Sequence, residues 1–180
     1  GEYNKSLNIT LSTSCFVPKP FTPFQWEPMD DIESLMNKQY HLKDRIKKRT
    51  RKIKYNYHDA RLSFLEAVLA RGDRKIGKVI YTAWQKGCKF DGWDEFFSFE
   101  KWMEAFSECG LDPKFYANRR RDYTEVLPWD HIDMGISKEF LKKESEKAYE
   151  GDLTKNCAVG CSLCGAQGYK TGICIKSKRG

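Results

Sequence analysis

The sequence predicts a mostly helical α/β chain, with strands confined to its first third. Two observations predict it. Two runs rich in β-branched and aromatic residues, Leu7–Val17 and Lys52–Tyr57, read as strands on either side of one helical pattern. Every later periodic segment repeats its apolar residues at helical spacing.

The first strand stops at Pro18 and Pro20, and with Pro23 these force an extended loop through Trp26. Asp30 or Asp31 caps a helix from about Ile32 to Arg49, with Ile32, Leu35, Met36, Leu42 and Ile46 at helical spacing. After the second strand a helix runs from about Asp59 to Arg71, with Leu62, Leu65, Val68 and Leu69 on one face. Gly72 ends it and Asp73 caps the next. That helix carries Ile76, Val79, Ile80, Ala83 and Trp84 and stops at Gly87. Ser98 caps another, whose stripe is Phe99, Trp102, Met103 and Phe106. Residues 112–133 read as irregular, Ser137 opens a last helix to about Tyr149, and the tail from Gly151 has no period. Two strands cannot bury both faces of a parallel sheet, so the chain reads as cut from a larger one.

Composition bounds the function. Of 180 residues, 40% are hydrophobic and 32% charged, which suits a soluble domain with a packed core. No apolar run approaches the ~20 residues of a membrane span. The N-terminus lacks a signal pattern, so a cytoplasmic location is expected. Net charge is +7, which suits an anionic partner such as RNA. Lys43–Lys54, with Tyr55 and Tyr57, and Arg119–Arg121, with Tyr123, are the basic runs that would meet it. There is no Gly-rich phosphate loop, no G-x-S-x-G and no H-E-x-x-H.

Seven cysteines, an odd number, argue against a disulfide scaffold. Cys15, Cys88 and Cys109 are scattered and read as small buried hydrophobes. The tail is different: Cys157-Ala-Val-Gly-Cys161-Ser-Leu-Cys164-Gly, with Cys174 further on. Thiolates this close in a glycine-containing loop converge on a soft metal. Either a [4Fe–4S] cluster or a four-cysteine zinc site fits, against free redox-labile thiols. His41, His58 and His131 have no helical partner for metal. His131, between Asp130 and Asp133, is the most suggestive, yet no nucleophile accompanies it.

C-x3-C-x2-C is also the spacing by which radical S-adenosylmethionine (SAM) enzymes hold their cluster. In those enzymes most of the barrel comes after the motif, whereas 16 residues come after Cys164 here. The tail is therefore not the SAM-cleaving loop.

Many short segments, in order, resemble one family. Phe16-Val-Pro-Lys-Pro20 and Thr22-Pro-Phe-Gln-Trp26 resemble a late strand and loop of a large radical SAM family that often carries an N-terminal cobalamin-binding domain. Asp59-Ala-Arg-Leu-Ser63, Leu65-Glu-Ala-Val-Leu69, Arg71-Gly-Asp-Arg74, Phe90-Asp-Gly-Trp93, Glu108-Cys-Gly-Leu-Asp112 and Leu127-Pro-Trp-Asp-His-Ile-Asp133 are similar to the C-terminal portion of that family, as is the cysteine tail. The family usually has a further cysteine three residues after Cys164, where Gln167 stands.

The resemblance implies the last strands and helices of a partial TIM-type barrel over residues 1–58, a helical extension over 59–150, and a cysteine-rich tail over 151–180. It implies that Phe16, Val17 and Pro18 contact SAM. The missing N-terminal part of the same protein would carry the SAM-cleaving cluster and possibly cobalamin. Cys157, Cys161, Cys164 and Cys174 would hold an auxiliary iron–sulfur cluster or zinc. The chain alone would be inactive. The alternative is a free-standing metal-stabilised basic module that binds RNA.

Overall fold

The computed structural model describes residues 7–50 and 52–169. Its elements run β1 (Ile9–Thr13), α1 (Ile32–Arg49), β2 (Ile53–Tyr57), α2 (Ala60–Arg71), α3 (Ile76–Gln85), α4 (Phe99–Glu108), α5 (Pro113–Ala117) and α6 (Lys138–Glu150), then a short 3-10 turn over Ala166–Tyr169. The chain forms two compact units that interleave in sequence. One holds the chain up to Val17 with Pro28–Arg119; the other holds Pro18–Glu27 with the chain from Arg120 onward.

The barrel expectation does not hold. Among the described residues there are six α-helices and one two-stranded parallel sheet, and no barrel. The physical reason is strand number: closing a TIM-type barrel takes eight parallel strands, and two leave both edges of the sheet open. The first unit instead contains a single β–α–β crossover.

Its register pairs Ile9 with Ile53, Leu11 with Tyr55 and Thr13 with Tyr57. Side chains alternate along a strand, so these residues share one face, and Thr10, Ser12, Lys54 and Asn56 share the other. The Lys43 ammonium lies 5.7 Å from the Tyr57 ring centroid, so α1 covers the Tyr57 end of the apolar face. Leu7, Ile9 and Leu11 further along remain exposed, at 54%, 47% and 39%. Parallel sheets are ordinarily covered on both faces, so this face is available to more protein.

The core of the first unit is helical: Phe64, Ala67 and Val68 of α2 meet Val79 and Ala83 of α3, Trp102, Ala105 and Phe106 of α4, and Tyr116 of α5. Four of the five described helix starts in this unit have a side-chain cap; α3, where Asp73 is the expected cap, starts after Lys75 without one. Asp31, Ser98 and Asp112 each accept a backbone N–H of the first turn of α1, α4 and α5, and Asp59 accepts the N–H groups of Arg61 and Leu62. The inward stripe of α2 is Phe64, Ala67, Val68 and Arg71, which turns the expected Leu69 outward. Glycine stands at position 72 because a Cβ there would sit 2.5 Å from the Ile76 side chain.

The second unit packs Trp26 against Leu127, Trp129 and Leu141, with Tyr123 edge-on to Trp26 at 4.9 Å. Arg121 N–H donates to Trp26 carbonyl at 2.8 Å, and the Trp129 indole donates to buried Gln25 at 2.7 Å. Among the described residues no helix is long and apolar enough to cross a membrane.

Candidate metal site and its surroundings

The cysteine loop belongs to the second unit and is built on α6. Ser137 caps that helix by accepting the Phe140 N–H. At the far end Gly151 adopts φ +76°, a left-handed turn that sends the chain away from the helix axis. Two sets of bonds then hold the returning chain to α6. Near the helix C-terminus, Thr154 Oγ1 donates to Glu144 Oε1, and Lys147 Nζ donates to both, at 2.8 Å to Thr154 and 3.1 Å to Glu144. Near its N-terminus, Ser137 N–H donates to the Cys164 carbonyl at 2.8 Å. Gly165, at φ +103°, makes that approach possible, since a Cβ there would lie 3.1 Å from the Gly135 carbonyl.

Between these ties the loop carries its thiols. Asn156 Oδ1 accepts the N–H groups of Ala158 and Val159, which shapes the turn after Cys157. Leu163 N–H donates to the Cys161 sulfur at 3.4 Å. Leu163 itself takes φ +56°, uncommon for a residue with a branched side chain.

Cys157, Cys161 and Cys164 are unpaired; the first two are exposed and the third half-buried. All three line one cavity of about 240 Å³, together with Ile136, Phe140 and Gln167. Among the described residues no three His, Cys, Asp or Glu side chains converge in a metal-holding geometry. Thiols are the donor type that thiophilic metals take, and the three line one cavity, but they do not form a closed metal-holding group. Cys174 lies outside the described residues.

The other expected residues do not line this cavity. Phe16 is exposed just beyond β1 and Val17 is half-buried against the core of the first unit, whereas Pro18 is fully buried. His131 is exposed; its neighbour Asp130 instead accepts the Leu127 N–H at 2.8 Å and the Lys138 ammonium at 2.6 Å. Burial pushes the Cys88 thiol up, which keeps it protonated and inert. Cys15 accepts from Gln39 Nε2 at 3.5 Å. Sequence reasoning missed the Glu144–Lys147–Thr154 tie. The i, i+3 pair on α6 was its one visible trace.

That tie carries a pH prediction. The Thr154 hydroxyl, then the Lys147 ammonium, hold the Glu144 carboxyl below its usual range. A depressed folded-state value means the contribution is present above the unfolded value and lost as pH falls through the folded one. Hydrogen exchange at residues 152–156, corrected for the intrinsic rate, should be constant from about pH 8 to 5 and accelerate below about pH 4. Glu144→Gln should show the faster exchange already at neutral pH. Equal exchange in both proteins would remove Glu144 from the tie.

No family model, curated protein or solved structure matches the chain.

Proposed function

We propose that this chain is the C-terminal part of a radical SAM iron–sulfur enzyme. In this reading it lends the parent a wall of the SAM and substrate pocket and an auxiliary metal site at Cys157, Cys161 and Cys164, and it is inactive alone. The observation that carries the reading is the set of three unpaired thiols at C-x3-C-x2-C spacing on one cavity, in a loop tied to α6 on both sides.

Two further features support it. The apolar face of β1 and β2 exposes Leu7, Ile9 and Leu11, which suits cover by the remainder of the same polypeptide. Phe16 presents an exposed ring directly after β1, where the resemblance sets a contact to the adenine of SAM. SAM, bound to a cluster elsewhere in the parent, would supply the radical. This chain's residues would position and enclose, with Phe16 stacking on the base and the cysteine loop holding its own metal. Cobalamin, if the parent carries it, would sit in another domain. A cytoplasmic setting goes with this reading, because exposed thiolates persist where thiols are kept reduced.

The test is SAM cleavage. After anaerobic iron and sulfide loading and reduction, the isolated chain should release no 5′-deoxyadenosine. The longer polypeptide encoded upstream in the same reading frame, joined to it, should release it. Cleavage by the isolated chain would overturn the reading.

A further inference from the structure

The basic residues that look alike in sequence are used differently in the fold. In the run at 119–121, Arg121 is buried, with its guanidinium 5.2 Å from the Trp129 ring centroid and 3.8 Å from Glu125. Arg120 pairs with Glu27, and Arg119 lies 4.5 Å over Phe115. That run is structural. The second half of α1 is the opposite case. Lys43, Arg45, Lys47 and Arg49 are exposed, as is Lys54 of β2, and among the described residues no carboxylate pairs with them. The nearby Asp44 is matched with Lys48 at 2.7 Å.

Just before these residues, along the middle of α1, lies a groove of about 280 Å³, near the low end of ligand pockets. Met36, Gln39, Tyr40 and Lys43 of α1 form one wall, and Tyr57, Asp59 and Arg61 the other. Tyr40 is 73% exposed, so its ring can meet a flat ligand; Tyr57, 43% exposed, has the Lys43 ammonium over its ring. Lys47 lies one turn beyond Lys43 along the same helix face. Asp59 is the one carboxylate among the lining residues, and its Oδ1 accepts two N–H groups of α2; Arg61 of the same wall pairs with Glu100 at 3.6 Å.

We propose that this groove binds single-stranded nucleic acid, one base stacking on Tyr40 opposite Tyr57 and the adjoining phosphates lying on Lys43 and Lys47. Aromatic rings flanked by unmatched cations are what a single strand needs: a face for the base, which every base can use, and charge for the backbone. A lipid surface fits less well. Helix α1 turns Leu35 and Ile46 inward, so no continuous apolar face is left to enter a bilayer.

The experiment uses the full chain and a fluorescent oligouridylate, with the matching oligodeoxynucleotide and anionic vesicles alongside, read by anisotropy and co-sedimentation. Binding to the RNA or the DNA should weaken steeply between about 50 and 200 mM salt. Tighter binding of one of them names the polymer, and both results uphold the groove. The double variant Lys43→Ala/Lys47→Ala should flatten the log–log salt slope by about two. Tyr40→Ala should weaken binding about tenfold with the slope unchanged. These side chains are exposed, so the fold is retained. No oligonucleotide binding at low salt, binding indifferent to all three substitutions, or binding to vesicles alone would each overturn the proposal.

Discussion

Replacing Arg71 by Met should destabilise the first unit by about 2–4 kcal/mol, although no ligand touches it. Arg71 stands in the last turn of α2, where a basic residue ordinarily reaches water. Here its side chain is fully buried. Its guanidinium donates to the Ala117 carbonyl at 3.4 Å and to the Arg119 carbonyl at 3.2 Å. Both bonds arise because α5 ends at Ala117, so the cation sits at a helix C-terminus, where positive charge is favoured. Met fills similar volume but donates nothing; both bonds are lost, at about 1.5–3 kcal/mol for a bond to a charged group, while the Ala117 carbonyl keeps the Met29 N–H as a partner. Lys keeps the charge but loses the fork that reaches two carbonyls, and should fall between. Urea unfolding monitored by helical circular dichroism measures this; a Met variant within about 0.5 kcal/mol of the parent would show that Arg71 packs without bonding.

Removing thiols should have a comparably large effect on metal. Cys161→Ala/Cys164→Ala leaves Cys157 alone on the described cavity. With Cys174 counted, at most two of the four thiols expected as ligands remain, and zinc or an iron–sulfur cluster rests on more converging ligands than that. Bound metal should fall by at least about tenfold, the scale on which even lesser changes around a metal act. Cys88→Ala is the control: its thiol is buried in the core of the first unit, and its loss should leave metal content unchanged. Equal loss in both variants would indicate unfolding, and retention in the double variant would place the metal elsewhere.

Local signals in this sequence were readable where a short-range cause exists. Asp31, Ser98 and Ser137 announce their helices because capping involves only residues two or three apart. Helix α5 was missed although Asp112 and Pro113 start it in the usual way, because five residues are too few to show a period. The first strand shrank from Leu7–Val17 to Ile9–Thr13, since a strand extends only as far as it has a neighbour to pair with, and β2 supplies five positions. Interleaving of the two units depends on pairs such as Trp129 with Gln25, about a hundred residues apart, and no local pattern encodes them. The same is true of the groove beside Tyr40, which exists only once β2 lies alongside α1. The cysteine spacing is a local pattern and so stands in the sequence; the bonds that hold its loop on α6 join residues seven and more apart and do not.

The most direct test is the metal content and absorption spectrum of the full chain purified without oxygen. An auxiliary iron–sulfur site predicts about four irons with matching sulfide and a broad band near roughly 400 nm, both lost in Cys161→Ala/Cys164→Ala. About one zinc without the band would make the loop a structural clip and contradict the iron–sulfur reading. No metal at all, in a chain whose helices remain folded, would contradict the metal site altogether.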